Sequence, residues 1–202
     1  MNNILKELKS IKIKRSKEPY RPVCKIDHLW QILEVNESLQ TTEASKHLNR
    51  IILIFSFYTG IRISELTNLN LEHLYLDEDK ISVKHGKGGK NRWIGVNRAL
   101  KPELKQYVDS YRPKTNLPNL FVLPDGRKLT KDRVEKRIKL LANKAGLPGG
   151  LHMWRRACLT HYASKGAPIS YLQAIAGHSS VLTTQNYIRP DIQDIIKDQV
   201  NW

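Results

Sequence analysis

The stretch Thr41 to Leu66, TTEASKHLNRIILIFSFYTGIRISEL, decides how this chain is built. Leu48, Ile51, Ile52, Phe55 and Tyr58 recur at helical spacing, and the apolar residues between them leave little of the circumference polar. A helix of that kind belongs in the core. Thr41 or Thr42 ahead of Glu43-Ala44-Ser45 supplies its start, Gly60 its stop, and Ser64-Glu65-Leu66 a short helix immediately beyond.

Toward the N-terminus, Ile26, Leu29, Trp30 and Leu33 predict a helix over Ile26–Leu39, with Asp27 or a neighbour as N-cap. Before it, Pro19-Tyr20-Arg21-Pro22 disfavours helix and reads as a linker. Toward the C-terminus the period changes. Lys80-Ile81-Ser82-Val83-Lys84 alternates, Gly86-Lys87-Gly88-Gly89 is turn chemistry, and Arg92-Trp93-Ile94-Gly95-Val96 alternates again, which predicts a β-hairpin. Helices are expected over Leu100–Tyr111, Lys131–Ala145, His152–Lys165, Ile169–Ala176 and Leu182–Tyr187, and a short strand over Leu120–Leu123. The fold class is therefore mainly α, of the α+β kind, a helical body with a small antiparallel β-sheet or hairpin at its side. Residues 1–24 form a basic arm, 25–190 one domain, and 191–202 an amphipathic tail that includes Ile192, Ile195, Ile196, Val200 and Trp202.

At 202 residues and 40% hydrophobic content the chain has material for one core, and no apolar run approaches the ~20 residues of a membrane helix. MNNILKELKSIKIKR lacks the continuous apolar stretch and small-residue cleavage site of a secretory signal, so the expected compartment is the cytoplasm. Cys24 and Cys158 form no C-x-x-C pair and the histidines fall in no tight metal pattern, so neither a disulfide framework nor a metal site is expected.

Lys and Arg number 34 against 19 Asp and Glu, a net charge of +15. The arm carries Lys6, Lys9, Lys12, Lys14, Arg15, Lys17 and Arg21 against Glu7 and Glu18. Lys80 to Arg98 holds six basic residues and no acid, and Lys136 to Pro190 holds eight and no acid. Any one run reads equally as a solvated basic face. Three runs, with an acid-free third of the chain, turn the reading to nucleic acid.

Gly86-Lys87-Gly88-Gly89-Lys90-Asn91 is not a nucleotide-binding loop, because the G-x-x-x-x-G-K-[ST] spacing fails and a second strand follows instead of a helix. Thr59-Gly60-Ile61-Arg62-Ile63-Ser64-Glu65-Leu66, His152-Met153-Trp154-Arg155, Gly177-His178-Ser179-Ser180 and Thr183-Thr184-Gln185-Asn186-Tyr187 are each weak signals alone. In this order they assemble two arginines, two histidines, a hairpin lysine and a tyrosine, the groups that a metal-free phosphoryl transfer to tyrosine would use.

These residues resemble, in order and spacing, the catalytic domain of the tyrosine recombinases, the phage integrase and Xer-type site-specific DNA recombinases. Arg62 stands in the T-G-[LI]-R-x-S-E-L segment, Lys87 in the G-K-G-x-K turn, and His152 and Arg155 in the H-x-x-R box. His178 lies in [LA]-G-H-S-S and Tyr187 in T-T-x-x-Y, so the likeness covers about residues 25–190. It implies Tyr187 as the nucleophile that forms a 3′-phosphotyrosyl bond, Arg62 and Arg155 as the phosphate clamp, and Lys87 as the acid for the departing 5′-oxygen. His152 would be general acid/base or phosphate donor, His178 a second donor, and Glu65 an orienting carboxylate. Lys84, Lys90, Arg92 and Arg156 are expected on the DNA backbone; Arg156 stands where many relatives have His. No cofactor and no metal is implied. The partners implied are double-stranded recombination sites and a homotetramer formed on them, from a monomer or weak oligomer when free, with no membrane; the bound protein would be on the nucleoid.

The family usually carries a helical core-binding domain of about a hundred further residues, where this sequence has the basic arm. A minimal recombinase like the short fimbrial invertases, a segment of a longer protein and a member that has lost a functional half all suit that. The functional alternatives are a catalytically silent DNA-binding regulator of the same fold and a type IB topoisomerase-like enzyme that relaxes DNA without exchanging partners. A silent binder has no need of Tyr187, which argues against the first.

Overall fold

The computed structural model describes residues 25–84, 91–147 and 149–177. Helix α1 (Ile26–Glu37) is followed by the central helix α2 (Glu43–Thr59) and the single turn α3 (Ile63–Leu66). Strands β1 (Leu74–Tyr75), β2 (Lys80–Val83) and β3 (Arg92–Gly95) make an antiparallel sheet in chain order, β2 pairing Ile81 with Ile94 and Val83 with Arg92. Helix α4 (Leu100–Gln106) runs on through a π turn to Tyr111, and α5 (Lys131–Lys144), α6 (Leu151–Ser164) and α7 (Ile169–Ala176) complete the body.

The mainly helical α+β expectation matches this architecture, and the reasons are local. Thr42 caps α2, its hydroxyl accepting from the Ser45 N–H at 3.3 Å, and Gly60 ends the helix in the left-handed conformation. Between those ends Ile52, Leu53 and Phe55 are fully buried, and Ile51 and Phe57 nearly so. Helices α1, α4, α5 and α6 all pack on α2, and Phe55 meets Phe121 edge-on at 5.1 Å between centroids. Each such side chain contributes roughly 1.5–3 kcal/mol by leaving water. One set of interior polar groups is matched across elements: Asn36 donates to the Lys46 carbonyl, Asn49 donates to Asn36, and Arg137 of α5 donates to Asn49, tying three helices together.

Two expectations change. The N-cap of α1 is Lys25, whose N–H donates to His28 Nδ1 at 3.2 Å, and Asp27 sits in the first turn, where its charge suits the helix dipole. Leu120–Leu123 is not a strand. All four residues are buried, but Leu120 N–H donates to Leu69 and Leu123 N–H to Arg127, so the pairing around them amounts to isolated bridges. Burial alone produced the apolar run. The short strand β1, with only Leu74 and Tyr75 paired to β2, carries too little pattern to be read in advance. The arm, the hairpin turn, the helix expected over Leu182–Tyr187 and the amphipathic tail lie outside the described residues.

Candidate active site

Where α2 stops, the chain turns through Gly60 and Ile61 and delivers Arg62 to the N-cap position of α3. The Arg62 N–H donates to Glu65 Oε2 at 2.9 Å, the return half of a capping box, which fixes Glu65 one turn along. The Arg62 guanidinium then donates through Nη1 to Glu65 Oε1 at 2.9 Å and through Nη2 to the Gly177 carbonyl at 2.8 Å. Arg92, the first residue of β3, closes on the same carboxylate as a fork, Nη1 to Oε1 and Nη2 to Oε2, both at 2.8 Å. Its Nε donates to the Ile175 carbonyl at 3.2 Å. Burial pushes the Glu65 pKa up, but the Arg92 bonds, the Arg62 N–H and the Arg62 guanidinium outweigh it and hold the pKa at about 2. Glu65 is therefore ionised, and two guanidinium groups sharing one carboxylate leave this cluster net positive.

Arg155 comes from the second turn of α6 and is buried. It donates through Nη1 to the Gly60 carbonyl at 2.5 Å and through Nη2 to the Ala176 carbonyl. The carbonyls of Ile175, Ala176 and Gly177, the end of α7, thus accept from Arg92, Arg155 and Arg62 respectively. A helix C-terminus has unpaired carbonyls and the negative end of the macrodipole, and here arginines from three other elements satisfy them. Gly177 has φ +57°, and a Cβ on it would lie 3.2 Å from the Nη1 atoms of both Arg62 and Arg92. His178 follows it directly in the sequence.

His152 is exposed in the first turn of α6, three residues before Arg155, so it lies on the same side of the helix one turn nearer its start. Lys84 is exposed and sits 3.8 Å from Glu72; Arg156 is half-buried. Lys87, Lys90, His178 and Tyr187 lie outside the described residues. The structure therefore brings together Arg62, Glu65 and Arg155, with His152 beside Arg155. It adds Arg92, grouped from sequence with the DNA contacts, whose guanidinium faces inward instead. A signal for that was present: in β3 Trp93 and Gly95 are exposed and Ile94 buried, so the period of two puts Arg92 on the inner face, where an arginine needs an acid. The carbonyl acceptors of α7 left no trace in residue types.

Comparison with known proteins places this constellation. The family model described as phage integrase family matches residues 27–194, and the chain belongs to that family. Tyrosine recombinase XerA of Pyrococcus furiosus is 32% identical over 161 residues, covering 77% of this chain and 55% of the relative. The chain spans little more than half the length of the curated relatives it matches. Among solved structures, a crystal structure of XerA recombinase superposes with a TM-score of 0.76 at 25% identity, over 93% of this chain and 65% of the other. XerH site-specific recombinase, bound to its difH substrate before cleavage, shares the fold with a TM-score of 0.71 at 24% identity, over 89% of this chain and 53% of that one. No helix among the described residues is long and apolar enough to cross a membrane.

Proposed function

We propose that this chain is the catalytic part of a site-specific DNA recombinase that cuts and rejoins strands through a phosphotyrosine. The observation that carries the proposal is the convergence of Arg62 and Arg155, 93 residues apart, on the last turn of α7, with Glu65 ionised between Arg62 and Arg92. Two of the five N–H groups of the Arg62 guanidinium are used within the described residues, which leaves three for a ligand. That is a phosphate-binding fork held at a fixed angle before any DNA arrives.

The Tyr187 phenol oxygen attacks the scissile phosphorus, the O–P bond to tyrosine forms, and the bond from phosphorus to the 5′-oxygen breaks. The phenol proton passes to a base, for which His152 is the candidate, and Lys87 supplies the proton that makes the leaving 5′-hydroxyl. The Arg62 and Arg155 guanidinium groups offset the negative charge that gathers on the non-bridging oxygens; His178 adds a donor. The ester conserves the bond energy, so the 5′-hydroxyl of another strand reseals it by the reverse step. Two duplex sites and four protomers would then exchange strands through a Holliday junction. The action would be cytoplasmic, on the nucleoid, with Lys84, Lys90 and Arg156 on the backbone.

A panel of nicked duplexes tiled from the DNA flanking the gene tests this. The wild-type protein is expected to form an SDS-resistant adduct on one of them, and Tyr187→Phe none. Adduct persisting in Tyr187→Phe, or absent from wild type on every duplex, overturns the proposal; adduct without exchange between two sites marks a topoisomerase-like enzyme.

A further inference from the structure

We propose that Arg92 is a positioning residue for cleavage: it holds both carboxylate oxygens of Glu65, and so aims the Arg62 guanidinium while fixing the end of α7. The inference rests on the recombinase reading above.

Glu65 has two carboxylate oxygens, and each accepts one bond from Arg62 and one from Arg92. Because the Arg92 fork takes both oxygens, the Arg62 side chain holds Glu65 through Nη1 alone and keeps Nη2 for Gly177. Were the fork removed, Oε2 would be open to the Arg62 guanidinium, and a parallel two-bond pairing of Arg62 with Glu65 would use up donors needed by a phosphate. The third Arg92 donor, Nε on the Ile175 carbonyl, joins β3 to α7. One side chain therefore links the strand that follows the Lys87 turn, the acid beside Arg62, and the helix that precedes His178. With Nε, Nη1 and Nη2 all engaged and a side chain only 12% exposed, Arg92 has little to offer a DNA phosphate. Lysine has one compact ammonium and cannot bridge two carboxylate oxygens and a carbonyl in this planar arrangement.

Single-turnover adduct formation at saturating DNA, on the nicked duplex that wild type cleaves, is the test, beside anisotropy binding to the same fluorescein-labelled duplex. Arg92→Ala and Arg92→Lys are both expected to slow adduct formation at least tenfold, with affinity and its salt slope within twofold of wild type. A second readout separates positioning from general loosening. The charged groups hydrogen-bonded to Glu65 are Arg62 of the α3 cap and Arg92 of β3. Without Arg92, Glu65 protonates at higher pH, so the rate of Arg92→Ala gains a new decline on the acid side, and adding Glu65→Gln removes it. A wild-type rate with weakened affinity makes Arg92 a DNA contact and overturns the inference, as does a slower rate with no new acid limb. If Arg92→Ala fails to fold, Arg92→Lys carries the comparison. If wild type itself forms no adduct, the recombinase reading fails and the role in cleavage with it, and a urea double-mutant cycle of Arg92→Lys with Glu65→Gln decides whether Arg92 clamps Glu65. Coupling below about fivefold in the unfolding constant then overturns it.

Discussion

Glu65 is where a single side chain controls most. Its carboxylate is buried, accepts from two arginines and one backbone N–H, and titrates at about 2 against an ordinary value of 4.5. A pKa lowered on folding adds stability that is complete above the unfolded value and is lost as the pH falls from about 4.5 toward about 2. Urea unfolding measured across that window should show wild type losing about 2 kcal/mol, once solvent screening is allowed for, and Glu65→Gln should remove that part of the slope. An undiminished slope in the variant would assign it to other carboxylates. Such behaviour is invisible in the segment TGIRISEL, where Glu65 is one acid one turn from one arginine; the second arginine arrives from 27 residues away.

At the scale of the element, the end of α7 shows how a helix terminus becomes part of a site. Three guanidinium groups stand where water or a cap would satisfy the last carbonyls. Gly177 ends the helix with φ +57° and little space for a Cβ, whereas Gly146 has φ +67° with nothing within 4 Å. Gly146→Ala should cost about 1 kcal/mol, the backbone conformational term alone, and Gly177→Ala about 1–3 kcal/mol with slower adduct formation besides, because Arg62 and Arg92 must move. Denaturant melts of both variants check this; equal losses would mean that the two guanidinium groups yield freely. The central helix tells the opposite story about legibility. Thr42, Gly60 and the apolar run between them were readable because capping and burial are properties of a few neighbouring residues. Leu120–Leu123 misled because an apolar run reports burial without saying which backbone it pairs with.

For the whole molecule the question is how the excess of +15 is divided. Arg62, Arg92 and Arg155 are turned inward onto Glu65 and α7, so on the proposed function most of the duplex affinity is expected from the dispersed surface cations and from the basic residues 1–24. Each phosphate that a cation neutralises releases a counterion. Removal of residues 1–18 is therefore expected to lower affinity and flatten the dependence of log K on log salt, by about 0.9 for every phosphate that the arm neutralises. Binding titrations at several salt concentrations measure it, and an unchanged slope would take the arm off the DNA. The chain aligns with little more than half the length of the curated relatives it matches, and the same titration measures how firmly this chain would hold a duplex.

By itself the sequence determined the helical body, the hairpin and the order of the motifs, because amphipathic period, capping and turn chemistry are carried by residues close together in the chain. It also marked Arg62, Glu65, His152 and Arg155 as the residues to watch. Only the tertiary structure decided what their neighbours are. Arg92 faces Glu65, and three arginines meet the carbonyls of one helix end, because packing β3 and α6 against α7 brings buried donors and acceptors within reach of one another, and leaving such groups unpaired inside a protein is costly.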